Sequence, residues 1–188
     1  MLSKFKPLAT ELLRPIAKAL GKRLKPNHLT LIGLFSGIMA FFLIVRHEII
    51  LGAAFVLLSG IFDLLDGLVA RTQNMATAFG GFLDSVIDRY VDFLIFLALG
   101  IHGVDWLVIS VAMSGALLVS YTRARAEKII PKCDVGIAER GERMLILFFA
   151  MLTGLIYEGV VLIAILSHTT ALHRILYTYS RSKTHRLS

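Results

Sequence analysis

Asp63-Leu64-Leu65-Asp66-Gly67-Leu68-Val69-Ala70-Arg71, followed after eight residues by Gly80, after three more by Asp84 and after three more by Asp88, sets four carboxylates in or beside apolar runs. An unpaired carboxylate in such surroundings costs on the order of several kcal/mol, so something must offset the charge. Asp63 and Asp66 are three residues apart and Asp84 and Asp88 four apart, so each pair shares one face of its helix. The turn between the pairs makes the two helices neighbours, and the four acidic groups then meet. Converging like charges repel unless cations lie between them, and carboxylate oxygens suit magnesium, manganese or calcium over softer metals. A site for one or two divalent ions follows. Gly67, Gly80 and Gly81 leave room for backbone or a bulky ligand to come close, and Arg71 suits a phosphate or a carboxylate. Plain ion pairing of the aspartates with Arg71, Arg89, Arg123 and Arg125 would leave the glycines and the excess of acid without a role.

Outward from this stretch the chain is a membrane protein. Of its 188 residues 56% are apolar, with mean hydropathy +0.75, well above ordinary soluble domains. Apolar runs at 29–45, 49–62, 93–101, 106–121 and 144–165 reach spanning length only when neighbouring polar residues are included. Lys and Arg crowd into the N-terminal segment, the neighbourhoods of Arg71 and Arg89, the stretch from Arg123 to Arg143 and the region after Arg174. The turns near residues 102–105 and 157–159 carry none. The positive-inside rule puts the rich segments and both termini in the cytoplasm, which requires an even number of spans. The expected fold is all-α: an integral membrane six-transmembrane helical bundle with spans near 28–45, 49–72, 79–102, 105–127, 138–156 and 159–180, divided at the end by a turn at Glu158-Gly159.

Residues 1–26 carry Lys4, Lys6, Arg14, Lys18, Lys22, Arg23 and Lys25 but no long apolar core, unlike a cleaved signal peptide. Leu8, Leu12, Leu13, Ile16, Ala17 and Leu20 recur at helical spacing, the pattern of an amphipathic juxtamembrane helix on an anionic leaflet. Residues 27–188 are expected to form the catalytic domain. The net charge of +7 sits beside hydrophobic spans, which favours lipid phosphates or an anionic substrate and excludes nucleic acid. Cys133 has no disulfide partner, and no Cys/His spacing indicates zinc. His102, His168 and His173 lack a ligand pattern. Gly33 and Gly37 form a small-residue face suited to packing within the bundle or between protomers.

The spacing from Asp63 to Asp88 resembles the full signature of the CDP-alcohol phosphotransferase family, with every specified position met. Pro26-Asn27-His28-Leu29-Thr30 is similar to that family's early Pro-Asn-x-x-Thr stretch. The resemblance implies a homodimeric, metal-dependent enzyme of phospholipid biosynthesis that takes a CDP-linked lipid, CDP-diacylglycerol or CDP-archaeol, at the cytoplasmic leaflet. An acceptor hydroxyl attacks the lipid-bearing phosphorus and CMP departs. It also implies that Asp63, Asp66 and Asp84 are ligands of Mg2+, or of Mn2+, and that Asp88 is a further ligand or the catalytic base. Asn27, Thr30, Asp63, Gly67, Ala70, Arg71 and Gly80 would line the CDP site. For Asn27 and Thr30, a helix-start role is equally consistent with the sequence.

Arg123 near the end of the fourth expected span, and Arg140 and Arg143 at the start of the fifth, provide forked guanidinium groups for a phosphate monoester, hence for a phosphorylated acceptor. Their surroundings, Ser120 to Glu127 and Ala138 to Arg143, resemble the inositol-phosphate branch of the family, although Gly141 stands where members often have proline. That implies inositol 1-phosphate as acceptor, with glycerol 3-phosphate, as in a phosphatidylglycerophosphate-type synthase, as the alternative. Arginines that merely mark the membrane boundary would look the same. An ion or proton transporter, a reading from another class, would spread its carboxylates through the membrane depth.

Overall fold

The computed structural model describes residues 6–184 and contains seven helices there: α1 (Lys6–Leu20), α2 (Pro26–Val45), α3 (Ile49–Thr72), α4 (Ala78–His102), α5 (Trp106–Ala126), α6 (Arg140–Thr153) and α7 (Ile156–Thr184). Lys4 and Arg186 of the charge pattern lie outside the described residues, as do the side chains of residues 6–10, 12 and 184.

The helices begin and end where local chemistry dictates. Pro26 opens α2 at a position whose N–H has no helical partner to lose. The Thr77 hydroxyl accepts from Gly80 N at 3.0 Å and caps α4, and Asp105 Oδ1 accepts from Leu107 N and Val108 N at 2.9 and 3.1 Å and caps α5. Gly154, with φ 75°, closes α6 in the left-handed conformation. The break before α7 therefore falls at Gly154-Leu155 and not at Glu158-Gly159, which lie inside the first turns of α7.

Among the described residues, four helices are long and apolar enough to cross a membrane: α2, α3, α5 and, over Ile156–Lys183, α7. The expectation of six spans is corrected accordingly. The other two candidate segments are helical but fail for different reasons. α4 has 25 residues, but Asp84, Asp88, Arg89 and Asp92 interrupt its apolar character between residues 84 and 92. α6 has 14 residues, about 21 Å at 1.5 Å per residue, short of a hydrocarbon layer of roughly 30 Å.

The chain forms two compact units, Met1–Gly103 and Val104–Ser188. In the first, α2 packs against α3 and α4. Ser59 Oγ donates to Gly33 O at 2.9 Å, and a Cβ placed on Gly37 would lie 2.7 Å from Val91 Cγ1, so the Gly33/Gly37 face serves packing within this unit. Ala17 of α1 is fully buried with Leu29, Leu65, Leu68 and Val69, flanked by Leu13 and Leu20, while Ile16 of the same expected stripe is exposed. The amphipathic helix thus docks its narrow apolar edge onto α3. In the second unit α5 and α6 pack along α7, and Ala126, Ile130 and Cys133 form a small core under the α5–α6 connection, joined by Val135 and Tyr177.

Candidate active site

α3 brings Asp63 and Asp66 round one face, and α4 begins six residues after α3 ends, so that Asp84 returns beside them. One carboxylate oxygen from each of Asp63, Asp66 and Asp84 lies within 4.8 Å of the others. Asp66 is the most enclosed, at 4% exposure, and Asp63 and Asp84 are half-buried. Asp88, one turn further along α4 and also buried, stands outside that group, with Oδ2 3.3 Å from Arg89 Nη1. Three hard oxygen donors converging at this separation, one almost fully removed from solvent, fit a divalent cation such as magnesium or manganese.

The start of α2 forms the wall beside this cluster. Thr30, itself buried, donates from Oγ1 to Asp66 Oδ2 at 2.7 Å. Its role as a helix-start residue does not hold, since the N-cap is Lys25. A Cβ on Gly80 would come 3.4 Å from Asn27 Oδ1 and 2.9 Å from Thr77 Oγ1, so the beginnings of α2 and α4 meet at Asn27 and Gly80. Arg71 is exposed and folds back along its helix, with Nη1 3.3 Å from where a Gly67 Cβ would sit. Ala70 is half-buried on the same helix, and among the described residues nothing lies within 4 Å of the Cβ direction of Gly81. Asn27, Thr30, Asp63, Asp66, Gly67, Ala70, Arg71, Gly80, Asp84 and Asp88 are therefore all carried by α2, α3 and α4 of one unit.

Sequence reading passes over Asp92, a fifth acidic residue, buried one turn beyond Asp88. Its spacing from Asp88 is the available signal.

Arg123, Arg140 and Arg143 lie in the second unit. Arg123 Nε is 3.0 Å from Glu127 Oε1, and its two terminal nitrogens reach Asp134 Oδ1 at 3.2 Å and Glu139 Oε1 at 3.5 Å. Its ion pairs are thus to three acids of its own unit. Arg140 is half-buried as the first residue of α6, and Arg143, 2% exposed, donates from Nη1 to Ala138 O at 2.8 Å. Arg174 of α7, which charge counting assigns to the boundary, is instead 1% exposed and bonded into this same region.

Residues 23–172 match the CDP-alcohol phosphatidyltransferase family. The chain belongs to this family. It is 36% identical to the archaetidylinositol phosphate synthase of Methanothermobacter thermautotrophicus over 97% of this chain and 96% of that one. Among solved structures, phosphatidylinositol phosphate synthase of Mycobacterium tuberculosis with CDP-DAG bound is similar with a TM-score of 0.77 and 27% identity, covering 90% of this chain and 94% of that one. The same M. tuberculosis protein in complex with manganese and citrate is similar with a TM-score of 0.76 and 28% identity, over 88% of each chain. This family member is a transferase enzyme, and its four apolar helices make it a multi-pass membrane protein.

Proposed function

We propose that the protein transfers the lipid-phosphate group of a CDP-linked lipid to the hydroxyl of inositol 1-phosphate, releasing CMP. The observation that carries this reading is the convergence of Asp63, Asp66 and Asp84 beside Thr30, Asn27 and Gly80. The similarity to archaetidylinositol and phosphatidylinositol phosphate synthases supports the choice of acceptor.

Asp63, Asp66 and Asp84 would hold divalent ions, Mg2+ by preference or Mn2+, which offset the charge of the donor's diphosphate and of the departing CMP. Thr30, through its bond to Asp66, sets the orientation of the most buried carboxylate. Asn27 and Gly80 bound the cytidine end, where a glycine leaves the donor room to approach. Arg71, alongside Gly67 and Ala70, would pair with a donor phosphate oxygen, a role its exposed guanidinium near Gly67 supports. Asp88, set apart from the three-carboxylate group, takes the role of base: the acceptor hydroxyl oxygen forms a bond to the lipid-bearing phosphorus, its proton passes to Asp88, and the phosphorus–oxygen bond to CMP breaks. Arg123, Arg140 and Arg143 supply the cationic groups for the acceptor's phosphate.

Lys22, Arg23 and Lys25 lie in the α1–α2 connection and Arg71 in the last turn of α3, all exposed. The positive-inside rule favours a cytoplasmic position for this end, and four spans, like any even number, return the C-terminal Arg181 and Lys183 to that side. The same reading carries a homodimer, testable by sizing the detergent-solubilised protein. The decisive assay of function is a panel of acceptors offered with radiolabelled CDP-lipid and scored for CMP release. Preference for inositol 1-phosphate is expected. Preference for glycerol 3-phosphate overturns the acceptor assignment, and no CMP release with any alcohol overturns the transfer reaction.

A further inference from the structure

His102 ends α4, and the fold sets its ring against that of His47 in the α2–α3 turn, with centroids 4.7 Å apart and planes tilted by 51°. The two residues lie far apart in sequence, so no ligand spacing marks them there. One carbonyl fixes both. Ile44 O accepts from His47 N at 3.0 Å and also accepts from the His102 ring. Ile44 is fully buried, so this anchor belongs to the core of the unit. The backbone of His47 has φ 63°, in the left-handed region where residues other than glycine are uncommon. Glu48 N donates to Leu43 O at 2.9 Å and closes the turn around it. Backbone held in this region by its surroundings marks a position worth testing for function.

These contacts set the chemistry of the His102 ring. In a neutral imidazole, one nitrogen that donates to a carbonyl leaves the other with a free lone pair. His102 Nδ1 is enclosed and has no hydrogen-bond partner among the described residues, so Nδ1 carries that lone pair. Burial, and then the nearby His47, hold the His102 pKa below its ordinary value, which keeps the ring in the neutral form that metals require. A neutral imidazole that donates its second N–H to a backbone carbonyl is the arrangement of metal-binding histidines. His47 offers a second imidazole, exposed, from the facing segment. Arg46 and Glu48, exposed on either side of His47, offset one another, so the turn opposes a cation with no net charge of its own.

The pair stands at the other end of this unit from the carboxylate cluster. Asn27 and Thr30 begin α2 and Asp84 lies near the start of α4, whereas His47 follows α2 and His102 ends α4. The stretch of α4 from Asp84 to His102 is about 27 Å long at 1.5 Å per residue. The donors differ as well: imidazole nitrogen suits zinc, nickel and copper, and carboxylate oxygen suits magnesium and manganese.

We propose that His47 and His102 form a second metal site, for a divalent transition ion such as zinc, nickel or copper, which clamps the α2–α3 turn to the end of α4. Water completes the coordination on the exposed His47 side. Because the two ligands come together only in the folded chain, the bound ion stabilises the fold.

Zinc titration of the full-length, untagged protein in detergent, followed by calorimetry with excess magnesium present, tests this. One zinc ion per chain is expected, with a rise in the midpoint of thermal unfolding. His47→Asn removes the imidazole but keeps a residue that tolerates the left-handed backbone. It should weaken zinc binding more than about 100-fold, beyond what loss of an outer partner costs, and His102→Gln should do the same. Copper bound to the parent should show imidazole nitrogen hyperfine lines in electron paramagnetic resonance, lost in both variants. Asp66→Asn, His28→Gln and His168→Gln should leave zinc binding unchanged. No zinc bound by the parent, or binding undiminished in His47→Asn and His102→Gln, overturns the proposal. So does a loss confined to Asp66→Asn, His28→Gln or His168→Gln, which places the ion elsewhere. If His102→Gln does not fold, His47→Asn in its exposed turn decides by the same titration.

Discussion

The Thr30 hydroxyl donates to Asp66 Oδ2 at 2.7 Å across 36 residues of sequence, joining the first turns of α2 to the most buried carboxylate of the cluster on α3 and α4. Pro26 O is also within reach at 3.2 Å, but the single hydroxyl proton favours the shorter bond to a charged acceptor. The bond orients Asp66 within the cluster. Thr30→Val, nearly the same shape without the hydroxyl, should weaken divalent-ion affinity roughly 10- to 100-fold, the range for loss of an outer partner to a metal ligand. Thr30→Ser should restore most of it. Manganese titration of both variants followed by electron paramagnetic resonance checks the pair.

Gly80 makes a different prediction because it lies at a surface of approach. Gly80→Ala would put a methyl 2.9 Å from Thr77 Oγ1 and 3.4 Å from Asn27 Oδ1. The Thr77 hydroxyl that caps α4 must then give way, which disturbs the turn that sets Gly80 against Asn27. KM for CDP-lipid should rise about five- to thirtyfold, equivalent to roughly 1–2 kcal/mol, with the affinity for inositol 1-phosphate unchanged. Initial rates with each substrate varied in turn measure it.

Gly37 is a matter of packing alone. A methyl at Gly37→Ala would stand 2.7 and 2.9 Å from the two γ-carbons of Val91, where α2 crosses α4. Overpacking of this kind costs about 1–3 kcal/mol. Thermal unfolding in detergent should shift downward in Gly37→Ala and recover in the double variant with Val91→Ala, while the activity of the folded fraction stays near that of the parent.

Much of this molecule is legible in its sequence. Pro26 marks the start of α2 through chemistry local to a few residues, and the pairing of Asp63 with Asp66 and Asp84 follows from helical period and one short turn, whereas the break before α7, expected at Glu158-Gly159, falls at Gly154. What is not legible depends on partners distant in sequence. Thr30 reads equally as a cap or a nucleotide contact, and only the packing of α2 on α3 turns its hydroxyl to Asp66. Arg174 reads as a boundary charge, because nothing in its neighbourhood reveals that Val119, Val135 and Glu139 surround it. The number of spans is misread for a related reason. Periodicity identifies α4 and α6 as helices, but the charges of α4 and the 14-residue length of α6 set them apart from the four apolar spans.

The account stands or falls with divalent-ion binding at the three-carboxylate cluster. Manganese titration of the purified protein in the presence of CDP-lipid, read by electron paramagnetic resonance, compares the parent with Asp63→Asn, Asp66→Asn and Asp84→Asn. Each variant should lose affinity by more than about 100-fold, beyond what removal of an outer partner costs, and CMP release should fall in step and be abolished in the parent by chelation. Undiminished manganese binding in all three variants, or CMP release that persists in the parent after chelation, would contradict it.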